Sequence, residues 1–158
     1  MRAIFLILCS VLLNGCLGMP ESVKPVPDFE LNNYLGKWYE VARLDHSFER
    51  GLSQVTAEYR VRNDGGVSVL NRGYSEEKGE WKEAEGKAYF VNGSTDGYLK
   101  VSFFGPFYGS YVVFELDREN YSYAFVSGPN TEYLWLLSRT PTVERGILDK
   151  FIEMSKER

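Results

Sequence analysis

Between Trp38 and Arg139 the chain is a succession of short alternating runs, joined by links too short to hold a crossover helix. Successive side chains of a strand point to opposite faces, so in the first run Trp38, Glu40, Ala42 and Leu44 share one face. Tyr39, Val41 and Arg43 share the other. In the second run Val55, Ala57, Tyr59 and Val61 alternate with Thr56, Glu58, Arg60 and Arg62. The turn Asn63-Asp64-Gly65-Gly66 suits the positive φ angles of a hairpin. Val67, Val69 and Asn71 then return on the same inner face. A long run from Trp81 to Val91 follows, with Gly86 expected as a bulge. Leu99, Val101 and Phe103 alternate next, then come Gly105 to Gly109 as a turn and runs at Tyr111–Asp117, Tyr121–Ser127 and Tyr133–Arg139. Eight strands in sequential hairpin linkage make an antiparallel meander. Closure into an up-and-down barrel hides its edges. A sandwich takes the same strand count, but uniform hairpin connectivity favours the barrel. The expected fold is therefore all-β, an eight-stranded antiparallel barrel.

The late runs are apolar on both faces: Tyr123 and Phe125 against Ala124 and Val126, then Leu134 and Leu136 against Trp135 and Leu137. Their outer side needs a cover. Thr140-Pro141 reads as a helix N-cap and first helical position. Val143, Ile147, Leu148, Phe151 and Ile152 recur as one helical stripe. This helix is expected to pack on the outside of the barrel; the alternative is a helix that binds a partner.

Residues 1–15 read as a signal peptide: Arg2 is followed by an apolar run from Ala3 to Leu13, too short to span about 30 Å of hydrocarbon. Leu13-Asn14-Gly15-Cys16 matches the lipobox of bacterial lipoproteins, although Asn14 is a departure, and makes Cys16 the expected lipidation site. An ordinary secretory signal with an incidental cysteine is the alternative. Leu17, rather than Asp, fits release to the outer membrane, with the domain facing the periplasm. Residues 16–28, with Pro20, Pro25 and Pro27, are expected to be the lipidated N-terminus and tether; residues 29–158 form the domain. The net charge of −4 includes no basic block, so no nucleic-acid partner is expected.

Three stretches together are specific for a family. Leu35-Gly36-Lys37-Trp38-Tyr39-Glu40, the run from Lys100 to Gly109, and Leu137-Ser138-Arg139-Thr140-Pro141 resemble the lipocalins, in particular bacterial outer-membrane lipoproteins of that family. The likeness runs from about Asn33 to the last helix. It implies that Trp38 and Arg139 meet at the closed end of the barrel as structural residues. The middle signature is loose, since Asp117 to Tyr121 keep only its turn character. Family members usually continue past the helix with a short strand. This chain stops at Arg158, so a truncation at the C-terminus is the expectation, with the edge there left without that protection.

The inner faces gather Ala42, Leu44, Val55, Ala57, Tyr59, Val69 and Asn71 from the first half. Ala88, Phe90, Val101, Phe103, Val113, Tyr133 and Trp135 come from the second. Small and aromatic groups with few charges suit an apolar cavity with hydroxyls to orient a polar head. Burying about 14 methylenes at ~0.8 kcal/mol each offers ~11 kcal/mol gross, before association costs. The expected ligand is a fatty acid or lysophospholipid, its head near Glu40, Tyr59, Asn71 or Tyr133. The alternative is a filled barrel in a structural or partner-binding envelope lipoprotein. Phe104, Phe107 and Tyr108 would then offer an interface or a homodimer contact. A few lipocalins are enzymes that use a cavity cysteine, but Cys9 and Cys16 both lie outside the barrel. His46, the single histidine, is expected on the surface. No catalytic group, metal or cofactor is expected.

Overall fold

The computed structural model describes residues 17–158. The expected signal peptide and lipidation site, Cys16, lie outside the described residues. A short helix, α1 (Leu31–Tyr34), leads into eight strands: β1 (Gly36–Arg43), β2 (Leu52–Val61), β3 (Val67–Ser75), β4 (Glu80–Phe90), β5 (Tyr98–Phe104), β6 (Phe107–Leu116), β7 (Tyr123–Ser127) and β8 (Leu134–Ser138). A second helix, α2 (Arg145–Lys156), ends the fold. Each strand pairs antiparallel with the next, and β8 pairs with β1 to close the barrel. The meander expected from the turns is the observed one.

Gly36 carries the chain from α1 into β1 at φ +92, a conformation that a side chain resists. Four irregularities then set which residues face inward, one of them in β2 between Ser53 and Thr56. In β1 the register against β8 slips by one between Glu40 and Ala42. In β5 it slips between Val101 and Phe104, and in β6 between Val113 and Glu115. Gly86 is not the expected bulge, because β3 and β4 pair without interruption through Val69↔Gly86. A Cβ at Gly86 would stand 2.8 Å from the Phe103 ring, so the glycine is a socket for that ring.

Two apolar layers result. The inner one includes Trp38, Ala57, Tyr59, Val69, Ala124, Val126 and Leu137. The outer one joins Phe125, Leu136, Val112 and Phe114 to Phe151, Ile147, Leu148 and Val143. This is the cover that the doubly apolar strands require. The Phe151 ring meets the Phe125 ring edge-on at 5.1 Å. The helix starts later than Thr140-Pro141 implies, with Glu144 at its N-cap. Thr140 Oγ1 instead donates to the Thr142 carbonyl, which holds a separate turn.

The segment expected as a tether is packed along the barrel. Val23, Val26 and Phe29 are buried, the Val26 amide donates to the Val113 carbonyl, and the Gly97 amide donates to the Val26 carbonyl. The Tyr98 hydroxyl reaches the Leu17 carbonyl. Prolines preclude helix here but not an extended strip with every third residue, Val23, Val26 and Phe29, seated on the wall.

Candidate functional site

A cavity of about 430 Å³ occupies the barrel, within the size range of small-molecule sites, about 300–1,000 Å³. Its middle is walled by Val55, Ala57, Val67, Val69, Ala88, Leu99 and Val101. It opens where the β1–β2 loop and the β5–β6 turn place Phe48, Phe104 and Phe107 at the rim, 44 %, 72 % and 76 % exposed. The filled barrel considered from sequence is not what these side chains build.

The opposite end is shut. The Arg139 guanidinium lies 3.9 Å from the centre of the fully buried Trp38 ring. It donates to the carbonyls of Lys37, Asn33 and Tyr121, which ties β1, α1 and the β6–β7 turn together. The Trp38 indole N–H donates to the Tyr34 carbonyl, and the Tyr34 ring covers the indole on the cavity side. Tyr111 shares hydrogen bonds of 2.6 and 2.8 Å with the hydroxyls of Tyr34 and Tyr59. Burial pushes all three hydroxyls above the ordinary phenol range, so the floor is neutral, and its two hydrogen bonds engage two of the three hydroxyl donors.

Of the residues expected to face a ligand, Val55, Ala57, Tyr59, Val69, Asn71, Ala88, Val101, Phe103, Tyr133 and Trp135 line the cavity. Ala42 and Leu44 do not. The slip in β1 after Glu40 reverses the alternation, so Ala42 packs in the outer layer and Leu44 is 42 % exposed. Phe90 and Val113 face inward as expected but belong to the layer around Phe29 beneath the cavity.

His46 is the larger correction. It is buried rather than on the surface, 7 % exposed, with Tyr133 at 5.3 Å, Trp135 at 5.4 Å and Phe48 at 6.3 Å between ring centres. The β1–β2 loop folds over the barrel mouth and brings Phe48 and Glu49 with it. The sequence offers one trace of this, an apolar Phe48 inside a polar loop. Glu49 and the floor tyrosine Tyr111 join the site with no distinguishing signal in the sequence.

The loop builds a compact polar cluster. Glu49 Oε2 accepts from the Trp135 indole at 2.9 Å and lies 2.9 Å from His46 Nε2. Arg43 Nη1 donates to Glu40 Oε1 at 2.7 Å, and Nη2 donates to the carbonyls of Glu49 and Leu52. Burial first, then the hydrogen-bonded Glu49 carboxyl, pushes the Glu40 carboxyl up to about 8, with Arg43 opposing. Glu40 therefore keeps its proton at neutral pH.

No group of acidic, histidine or cysteine residues among the described ones has a metal-binding arrangement. No described helix is long and apolar enough to cross a membrane.

Residues 29–158 match the family model of the lipocalin-like domain. The chain is 99 % identical, over its whole length and 92 % of the relative's, to the outer membrane lipoprotein Blc of Vibrio cholerae. It is 52 % identical to the outer membrane lipoprotein Blc of Escherichia coli over 86 % of this chain and 76 % of that one. Mouse apolipoprotein D is 30 % identical over 81 % of the chain and 70 % of its own length. Among solved structures, insecticyanin from the tobacco hornworm Manduca sexta superposes with a TM-score of 0.69. At 24 % identity, covering 89 % of this chain and 80 % of that one, it shares the fold alone.

Proposed function

The chain belongs to the lipocalin family, and from that premise we propose that it stores or carries single-chain acyl lipids, fatty acids or lysophospholipids, at the envelope. Its 99 % identity to an outer membrane lipoprotein of that family makes it a binding protein rather than an enzyme, an outer-membrane lipoprotein suited to a hydrophobic ligand. The observation that carries the finer reading is the cavity, apolar along its middle, shut at Trp38 and open at Phe48. A single acyl tail fits such a shape, entering first and leaving its head at the mouth. A lipid anchor at Cys16, directly before the packed strip that starts at Leu17, would hold the barrel against the bilayer that supplies the ligand.

Native mass spectrometry of the full chain released from non-ionic amphipol tests this. One acyl lipid per barrel, displaced by added lysophospholipid and weakened by Trp135→Ala, is the expected result. A barrel that holds and takes up no acyl lipid refutes it. The exposure of Phe104 and Phe107 favours a second reading, a contact with another copy of the chain at the mouth. Sedimentation of the wild type beside Phe107→Ser tests the contact, which requires a self-association of the wild type that the substitution weakens.

A further inference from the structure

We propose that the tyrosine hydroxyls at the floor of the cavity form a subsite for an oxygen at the far end of the ligand's tail, so that the barrel takes hydroxyl- or carbonyl-terminated acyl chains as readily as plain ones. This subsite rests on the lipid-carrier reading and names a class of tail that the carrier accommodates. Tyr34, Tyr59 and Tyr111 all line the cavity and converge from α1, β2 and β6. The Tyr59 ring lies 5.5 Å from that of Tyr34 and 6.0 Å from that of Tyr111, between centres.

The hydroxyls do not satisfy one another. Tyr111 meets Tyr34 at 2.6 Å and Tyr59 at 2.8 Å. Each contact uses one O–H, and the trio owns three. Whichever way the two shared protons point, one donor is left over. Among the described residues, none of the three hydroxyls has another hydrogen-bond partner. Burial pushes each of them above the ordinary phenol range, so all three stay protonated at neutral pH. The leftover O–H is therefore a standing donor beneath Val67, Val69, Leu99 and Val101, whose side chains offer no acceptor.

A buried donor without an acceptor is destabilising, and a ligand oxygen relieves it. A carbonyl oxygen accepts the proton. A hydroxyl oxygen accepts it and donates in return, because each phenol oxygen has two lone pairs. A terminal methyl does neither. A wholly apolar pocket has the opposite preference, since a hydroxyl taken out of water with no partner weakens binding about ten- to a hundredfold. The floor is also where the end of a tail arrives: the cavity is shut there by Tyr34 over Trp38 and open at Phe48. No other donor of the closed end competes for that oxygen. The Trp38 N–H goes to the Tyr34 carbonyl, and the Arg139 donors go to the carbonyls of Lys37, Asn33 and Tyr121.

The test uses the full chain in non-ionic amphipol at neutral pH and lysophosphatidylcholines, whose zwitterionic head is too strongly solvated to enter the barrel first. Lauroyl and ω-hydroxylauroyl lipids form one pair, palmitoyl and ω-hydroxypalmitoyl lipids a second, so that two tail lengths bracket the depth of the floor. The members of each pair compete for the barrel in native mass spectrometry, with free concentrations read by dialysis. In the wild type at least one hydroxylated lipid is expected to bind within about threefold of its parent. In a Tyr34→Phe/Tyr59→Phe/Tyr111→Phe chain the same lipid is expected to fall about tenfold or more behind its parent. Removing all three hydroxyls together leaves no orphaned partner, so this chain is expected to keep the wild-type fold, checked by circular dichroism. A wild-type chain that holds both hydroxylated lipids about tenfold or more weaker than their parents overturns the subsite, leaves the carrier intact, and needs no variant to fold. A folded triple variant with the wild-type ratio also overturns it. Failure of both parent lipids to bind removes the carrier reading as well.

Discussion

Arg139 lies over Trp38 at 3.9 Å and hands its donors to three backbone carbonyls from three different segments. The cation–π contact is worth about 0.5–2 kcal/mol, but the carbonyls add a second contribution. Lys37, Asn33 and Tyr121 lose a charged donor together when the guanidinium is removed. Arg139→Ala is expected to destabilise the barrel by about 2–4 kcal/mol, read as a lower midpoint in urea. Arg139→Lys should recover only part of this, since one ammonium cannot fan out to three carbonyls. Ligand affinity should change little in chains still folded, because the damage is beneath the floor.

Glu40 sets a pH dependence whose sign is fixed by its environment. Its carboxyl is raised from 4.5 to about 8 in the folded chain, so the folded state holds a proton that the unfolded state releases. The contribution is full below about pH 4.5 and is lost as pH rises to about 8. The loss is on the order of a few kcal/mol, because each tenfold difference in proton affinity between the two states is worth about 1.36 kcal/mol. Thermal unfolding between pH 5 and pH 9 should show the wild-type midpoint falling relative to Glu40→Gln, which has no proton to lose. A constant difference between the two chains would reject this assignment.

The strand alternation and the doubly apolar last strands were legible because they arise from local side-chain patterns. The barrel order, the helix cover and the apolar wall of the cavity follow from them. The bulge at Val41 was not legible: nothing in Glu40-Val41-Ala42 differs from regular alternation, and the slip is imposed by how β1 closes on β8. That one residue misplaced Ala42 and Leu44. The burial of His46 was hidden for a related reason. A loop's own sequence is polar whether it faces water or folds over a mouth, and only the partners Tyr133 and Trp135, far along the chain, decide.

Gly86 tests the distinction between a bulge and a socket. A bulge glycine is chosen for its backbone, whereas this one is regular and sits beneath the Phe103 ring, which in turn packs at 5.2 Å from Phe48. Gly86→Ala introduces a Cβ 2.8 Å from both that ring and the Ser102 carbonyl. The ring can move only by disturbing Phe48 at the rim. The substitution should cost about 1–3 kcal/mol of stability, as overpacking does, and should alter ligand affinity too. Paired urea unfolding and ligand titration check this; a loss of stability with unchanged affinity would show that Phe103 and Phe48 are not coupled.

Ala88 offers the sharpest separation of cavity from scaffold. Its methyl group faces the cavity, 4 % exposed, from the regular β3–β4 ladder. Ala88→Trp would place an indole into open volume of about 430 Å³, so the cost of overpacking is relieved by the space ahead of it. The added ring also buries apolar area, which contributes about 25 cal/mol per Å². Stability is therefore expected to stay within about 1.5 kcal/mol of the wild type, while acyl-lipid binding falls at least about tenfold. Native mass spectrometry gives the occupancy and urea unfolding gives the stability. A folded Ala88→Trp chain that still binds one acyl lipid per barrel would place the ligand outside this cavity, and the carrier reading would lose the observation on which it rests.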